Sequence, residues 1–128
     1  MTLQQAIEAV NASGDKAFIP YIMAGDGGLE ILRDTVLRLQ EIGATAIEVG
    51  IPFTDPVADG PTIEKAGERA LANGTNLRNV LATLKSFAHE VTIPLVAMTY
   101  LNPILAYGAQ AFARDAREAG IHGLIVPD

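Results

Sequence analysis

Four short apolar stretches, separated by longer mixed segments, divide the chain. They are rich in Ile and Val with few polar positions, and they cover Ala17–Met23, Ala44–Ile51, Ile93–Tyr100 and Gly123–Val126. Strict alternation is typical of a strand with one face in water, whereas near-continuous apolar runs are typical of parallel strands covered by helices. The pattern therefore predicts four strands of a parallel sheet.

Between these strands, apolar residues recur every three or four positions, as in Leu32, Val36 and Leu39. This period predicts amphipathic helices. In chain order they are Leu3–Ala12, Leu29–Ile42, Thr62–Ala72, Leu77–Ala88 and Ala109–Ala119. Asn73 followed by Gly74 is a helix stop, because glycine adopts the left-handed conformation that ends many helices. Alternating strands and helices predict an α/β architecture.

The segments Glu41–Val49 and Glu118–Val126 align with each other without a gap. Each ends a helix, turns on a glycine and enters a strand. In this alignment Glu48 falls where the second copy has Ile125. The second copy therefore predicts an apolar side chain at this position, but the first copy has an acid there.

Side chains alternate between the two faces of a strand, so Glu48 shares a face with Ala46 and Gly50. The branched residues of the other face should meet the helices, which points Glu48 into the centre of a closed or partly closed sheet. A carboxylate in an apolar strand is costly unless it is paired or used. The residues alone leave two interpretations open, a catalytic acid or a structural ion pair with an Arg or Lys.

The segment after this strand holds two more carboxylates, Asp55 and Asp59, among prolines and glycines. A carboxylate from the loop beside one from the strand would let one acid move a proton while the other holds a substrate N–H. The simpler alternative is that Asp59, ahead of Gly60 and Pro61, is a turn or helix-start residue. Asp55, before Pro56, is equally compatible with a turn.

Strand–helix units with acids at the strand ends predict a (βα)8 TIM barrel, which needs roughly 250 residues. Only four strands are predicted here, so we interpret residues 1–128 as the N-terminal half of a single barrel domain, a half-barrel. Such a half-barrel exposes two parallel strand edges. The 128-residue polypeptide on its own is expected to aggregate or dimerise.

The composition of the chain argues against several classes of function. A net charge of −6 argues against nucleic acid or an anionic membrane surface as the main partner. The absence of cysteine excludes disulfides and thiolate chemistry. His89 and His122 stand apart from each other and from acidic clusters, so we expect no metal site. No secretion signal and no apolar run of roughly 18 residues is visible, and we expect a cytoplasmic protein.

One run of sixteen residues, Ile-Glu-Val-Gly-Ile-Pro-Phe-Thr-Asp-Pro-Val-Ala-Asp-Gly-Pro-Thr at 47–62, closely resembles the signature of the tryptophan synthase α subunit family. The segments Ala17–Asp26, Met98–Ile104 and Gly123–Asp128 resemble the same family. The resemblance covers the chain in order. It implies a (βα)8 barrel lyase of tryptophan biosynthesis that cleaves indole-3-glycerol phosphate to indole and glyceraldehyde 3-phosphate. It also implies no cofactor in this subunit, and an α2β2 assembly in which indole passes to a pyridoxal-phosphate β subunit.

The resemblance also implies roles for single residues. Glu48 corresponds to the general acid–base, and Asp59 to the group that accepts the indole N–H. The residues implied to line the indole pocket are Tyr21, Met98, Tyr100 and Ile125. Those implied to lie on loops facing the β subunit are Asp55, Pro56 and Asn102. Tyr21 departs from the family pattern, which has phenylalanine there, and it adds a hydroxyl to the pocket wall.

Two other functions remain open at this point. Another phosphate-handling TIM-barrel enzyme of the same pathway, such as indole-glycerol-phosphate synthase, would need a lysine acid near the strand ends, and no predicted strand contains lysine. A non-catalytic half-barrel could instead only bind a partner. The phosphate cradle expected of the family would lie in the other half of the barrel, so the 128-residue piece alone is expected to be inactive.

Overall fold

The computed structural model describes all 128 residues, Met1–Asp128. Four strands alternate with helices along the chain. The strands are β1 (Tyr21–Met23), β2 (Ile47–Gly50), β3 (Leu95–Met98) and β4 (Ile121–Ile125). The helices are α1 (Leu3–Ala12), α2 (Leu32–Glu41), α3 (Pro61–Ala72), α4 (Leu77–Phe87), α5 (Leu101–Tyr107) and α6 (Ala109–Glu118). Single 3₁₀ turns, Leu29–Ile31 and Ala88–Glu90, precede α2 and follow α4.

The strands form one parallel sheet in the order β1-β2-β3-β4, as the continuous apolar runs predict. Glu48 is paired with Tyr21 on one side and with Val96 on the other. Because paired residues of neighbouring strands point to the same face, these side chains form one row across the sheet. The face that carries this row is called the inner face below.

The opposite face of the sheet carries the core. Ile47, Val49 and Ile51 are buried there in a cluster that also contains Val36 of α2 and Leu84 of α4. The prediction that the branched residues of β2 meet the helices is confirmed, and Glu48 therefore points to the inner face.

Helix ends follow local sequence rules. Thr2 and Gln5 form a reciprocal capping box at the start of α1, and Asn76 and Asn79 do the same for α4. Pro61 occupies the first turn of α3, where its missing N–H leaves no hydrogen bond unmade. The predicted stop after α3 is confirmed, with Gly74 at a φ of 82°.

Helix α5 was absent from the predicted elements, and Asn102 was expected on a loop; that expectation is wrong, because Asn102 lies in the first turn of α5. Pro103 lies in the same turn, where proline is tolerated, although from sequence it suggests irregular structure. A helix of seven residues is also too short to display a clear apolar period. The predicted fourth strand is displaced, since β4 begins at Ile121 rather than at Gly123.

Both outer strands, β1 and β4, have an unpaired edge. Large apolar side chains beside these edges are exposed, and they are Phe18, Ile19, Leu124, Ile125 and Val126. None of the helices is long and apolar enough to cross a membrane.

Candidate active site

Glu48 is a partly buried acid on an otherwise apolar inner face. It opens into a cavity of about 370 Å³, whose other lining residues are Leu3, Ile19, Val96, Gly123, Leu124 and Ile125. Burial among these side chains raises the pKa of Glu48 above its ordinary value. The ion pairs of the protein all join other acids to other bases. The interpretation of Glu48 as half of a structural ion pair is therefore not supported.

Asp59 lies at the end of the segment that joins β2 to α3 and is partly buried. The segment folds on itself, with the Val57 N–H donating to the Asp55 carbonyl at 2.9 Å and the Asp59 N–H to the Pro56 carbonyl at 3.2 Å. Gly60 is the N-cap of α3, and no side chain caps this helix. The carboxylate of Asp59 is thus not occupied in starting the helix.

Tyr100 fixes the position of this segment. Its side chain is 1% exposed. The Ala58 N–H donates a hydrogen bond to its hydroxyl oxygen at 3.0 Å, and the Phe53 ring lies 5.6 Å from its ring, centroid to centroid. Burial raises the pKa of Tyr100, and the nearby Asp59 carboxylate adds to this effect. These contacts place Asp59 beside the carboxyl ends of β2 and β3.

Tyr21 is influenced by both carboxylates. It is paired with Glu48 across β1 and β2 and shares the inner face. Burial raises the pKa of its hydroxyl, and the charges of Asp59 and Glu48 raise it further. Tyr21 therefore lies within electrostatic range of both Glu48 and Asp59.

Met98 and Ile125, which are also implied to line the pocket, share this face. Met98 is paired with Gly50 on one side and with Ile125 on the other. Met98 is partly buried, while Ile125 is 42% exposed at the sheet edge. The sheet therefore brings Tyr21, Met98 and Ile125 to the side on which Glu48 lies, and Tyr100 is buried just beyond the end of β3.

Asp55 and Pro56 lie on the segment between β2 and α3, as expected, and Asp55 is exposed. Asn102 is exposed on α5 at the carboxyl end of β3. The three residues thus lie at the same end of the sheet, and their contact with a partner stays a prediction.

Two residues of this region carried no assigned role in the sequence analysis. Phe53 packs on Tyr100, and Asp128 accepts a hydrogen bond from the Leu101 N–H at 2.9 Å, at the start of α5. Phe53 lies inside the sixteen-residue run at 47–62, so its place in the site could have been predicted from the sequence. Asp128 also ends a segment that resembles the family, but its contact with Leu101 could not be predicted, because the two residues are 27 positions apart along the chain.

The loop after β1 is bound to α3. Arg69 donates two hydrogen bonds to the Asp26 carboxylate, at 2.8 and 2.9 Å, and the Asn73 amide donates one to the Gly25 carbonyl at 3.0 Å. Gly25 has a φ of 90°, and a Cβ there would overlap the Thr75 side chain. These contacts hold α3, and the segment that leads into it, against β1.

Comparison with known proteins gives one consistent result. The model of the family described as "Tryptophan synthase alpha chain" matches residues 7–128. A tryptophan synthase alpha chain from Bacillus thuringiensis subsp. konkukian is 53% identical over 124 residues, which are 97% of this chain and 48% of the relative. One from Bacillus cereus is 52% identical over the same shares. The chain spans about half the length of the curated relatives it matches.

Solved structures agree with this result. Tryptophan synthase subunit alpha from Legionella pneumophila superposes with a TM-score of 0.93 at 41% identity, over 100% of this chain and 50% of that one. Tryptophan synthase from M. tuberculosis gives a TM-score of 0.90 at 40% identity, over 98% of this chain and 51% of that one. The four parallel strands with their helices are half of the TIM barrel of these proteins.

Proposed function

The chain belongs to the tryptophan synthase alpha chain family, and from this premise we propose that it supplies the catalytic half of an indole-3-glycerol phosphate lyase site. The reaction is a retro-aldol cleavage to indole and glyceraldehyde 3-phosphate. The observation that carries the proposal is Glu48, a partly buried carboxylate without an ion-pair partner that lines an apolar cavity on the inner face.

Glu48 moves protons in this proposal. Cleavage needs a proton on indole C3, which converts the ring to an indolenine and weakens the bond to the glycerol chain. It also needs loss of a proton from the chain hydroxyl, whose oxygen then forms the aldehyde as the C–C bond breaks and its electron pair returns to the ring. A carboxyl group with a raised pKa can donate the first proton and accept the second.

Asp59 stabilises charge in this proposal. When C3 takes up its proton, positive charge develops on the indole nitrogen. An ionised Asp59 that accepts the N–H interacts more strongly with this cation than with the neutral ring, so it favours the transition state over the ground state. Met98 and Ile125 offer the indole ring an apolar surface on the same face, and the buried Tyr100 supports the segment that carries Asp59.

The partner in this proposal is a tryptophan synthase β subunit, which would carry the pyridoxal phosphate; no cofactor is assigned to this chain. The exposed surface at the carboxyl end of the sheet, with Asp55, Pro56 and Asn102, is the candidate contact. Its position beside the inner face would let indole leave toward the partner.

The rival functions make different demands. A synthase that uses a lysine acid would need one at a strand end, and none of β1 to β4 contains lysine. A half-barrel that only binds a partner would not need an unpaired acid in an apolar cavity. Both points favour the lyase.

The test uses two proteins. In the 128-residue polypeptide alone we expect little or no indole from indole-3-glycerol phosphate, because the phosphate cradle belongs to the other half of the barrel. In a whole-length fusion, residues 1–128 followed by the second half of the Bacillus thuringiensis relative, we expect indole release measured by absorbance or chromatography. A folded fusion that binds a β subunit but releases no indole would support the binding-only function instead.

A further inference from the structure

The hydroxyl of Tyr21 is buried and has no hydrogen-bond partner. The protein has three tyrosines, and the other two have partners. The Tyr100 hydroxyl accepts from the Ala58 N–H, and the Tyr107 hydroxyl donates to the Asp115 carboxylate. A buried O–H without a partner costs free energy, because it has lost its bonds to water without replacing them. The Thr75 hydroxyl, packed against Gly25, also lacks a partner, so an orphaned donor points to a ligand atom only where other groups of a candidate site surround it.

Gly50 provides the space for this hydroxyl. A Cβ at Gly50 would overlap the Tyr21 oxygen. Gly50 follows Glu48 by two positions in β2 and so shares its face, and the segment that carries Asp59 begins just after it. The Tyr21 hydroxyl consequently lies over the end of β2, within electrostatic range of both carboxylates.

The surrounding charges define what this hydroxyl can do. Burial, Asp59, Glu48 and Tyr100 together raise the pKa of Tyr21, so the oxygen keeps its proton. Ionised carboxylates only accept hydrogen bonds, whereas the Tyr21 O–H can donate one. The site thus combines two acceptors with one free donor.

We propose that the Tyr21 O–H donates a hydrogen bond to a hydroxyl oxygen on the three-carbon chain of the substrate, and so selects ligands that carry this oxygen. This inference rests on the proposed function. The indole N–H is itself a donor and suits Asp59, and the ring carbons offer no acceptor. The phosphate is assigned to the other half of the barrel. The chain hydroxyls are then the substrate's remaining acceptors for the Tyr21 hydroxyl.

The test compares two ligands that differ only in this feature. Indole-3-glycerol phosphate carries the chain hydroxyls, and indole-3-propanol phosphate lacks them. Dissociation constants are measured by calorimetry in the whole-length fusion with Glu48→Gln, which blocks turnover, with and without Tyr21→Phe. We expect Tyr21→Phe to weaken the glycerol ligand by about 5- to 20-fold and the propanol ligand by less than about twofold.

Tyr107→Phe is the matched control, because it removes the same atom from a tyrosine that bonds to Asp115 outside the site. It should change neither constant. Equal weakening of both ligands by Tyr21→Phe, or no weakening of either, would overturn the inference while leaving the proposed function intact. If neither ligand binds the protein that retains Tyr21, the proposed function itself fails.

A second measurement, thermal unfolding of the whole-length fusion without ligand, separates ligand binding from a structural role. Because the hydroxyl has no partner in the ligand-free protein, its removal should leave the thermal unfolding midpoint unchanged or raise it. A clearly lower midpoint for Tyr21→Phe would mean that the hydroxyl holds the fold together, and would overturn the inference.

Discussion

The segments Glu41–Val49 and Glu118–Val126 follow the same order of helix end, glycine turn and strand, yet their side chains have different surroundings. Ile47 in the first copy is 0% exposed, whereas Leu124, its counterpart in the second, is 49% exposed. The first copy leads into β2, which has a strand on each side, and the second into β4, which lies at the edge of the sheet. Burial here follows from the position of the strand in the sheet rather than from the local pattern.

The aligned residues on the inner face differ in chemistry as well as in exposure. Glu48 and its counterpart Ile125 both point to this face, and both border the cavity of about 370 Å³. The acid lies on the central strand, with neighbours on both sides that lower its access to water. The apolar residue lies at the edge, 42% exposed. The Glu48 carboxyl is thus partly buried by the sheet, and this burial raises its pKa. A raised pKa in a cavity is expected of a functional acid.

The largest effect is expected at the two aligned inner positions. Glu48→Gln in the whole-length fusion removes the group that donates and accepts protons, and should lower the rate of indole release by about 10³- to 10⁴-fold. Ile125→Gln introduces the same side chain at the counterpart position and should cost only about tenfold, through weaker binding of the ring. Steady-state kinetics of both variants tests the contrast. Equal losses would mean that Glu48 acts only as part of the wall.

The next largest effect is expected at the second carboxylate. Asp59→Asn keeps the shape of the side chain but removes the charge that stabilises the cationic ring, so the rate should fall by about 10²- to 10³-fold. Asp55→Asn, an exposed carboxylate of the same segment, is the matched control and should change the rate by less than about twofold when no β subunit is present. A full rate for Asp59→Asn would remove Asp59 from the mechanism.

The helix-facing positions give a comparison in stability. Ile47→Ala opens a cavity in the core and should lower the free energy of unfolding by about 2–5 kcal/mol. Leu124→Ala, at the counterpart position, should lower it by less than about 1 kcal/mol, since half of this side chain is already in water. Urea unfolding of the 128-residue polypeptide, at concentrations where light scattering shows a monomer, measures both. Similar losses at the two positions would mean that another surface covers Leu124 in solution.

The smallest effect is the dependence of stability on pH. Burial raises the pKa of Glu48, so the folded state binds this proton more tightly than the unfolded state. The stability that it contributes is present below the unfolded pKa and is lost as pH rises through the folded pKa. Glu48→Gln, which is neutral at every pH, should therefore gain stability relative to Glu48 as pH rises from acidic to neutral. Urea unfolding at a series of pH values measures this difference, with Glu41→Gln at an exposed position as the control. A difference that shrinks with rising pH would contradict the assigned direction.

Several elements were predictable because their causes are local. Helix α1 lies at Leu3–Ala12, as predicted, because its apolar period and its Thr2 cap are both present within a few residues. The direction of Glu48 followed from alternation along β2. Helix α5 was not predicted, because Pro103 suggests irregular structure. The start of β4 was predicted two residues too late, because the prediction begins the strand at Gly123, which lies inside it.

The site was predictable only in part. Glu48 and Asp59 stood out because an acid in an apolar strand and an acid in the following loop are visible in sequence. The orphaned hydroxyl of Tyr21 was not visible, because the space that it occupies is left by Gly50, 29 positions along the chain. The bond between the Ala58 N–H and Tyr100, which sets the place of Asp59, spans 42 positions.

The sequence by itself determined the alternation of strands and helices, the family, and the face to which the acid of β2 points, since these depend on period, caps and a contiguous motif. The tertiary structure decided which strand is central and which is at the edge, and which polar groups remain without partners. The physical reason is that burial and hydrogen bonding depend on distances between residues far apart in the chain, and those distances exist only once the sheet has assembled.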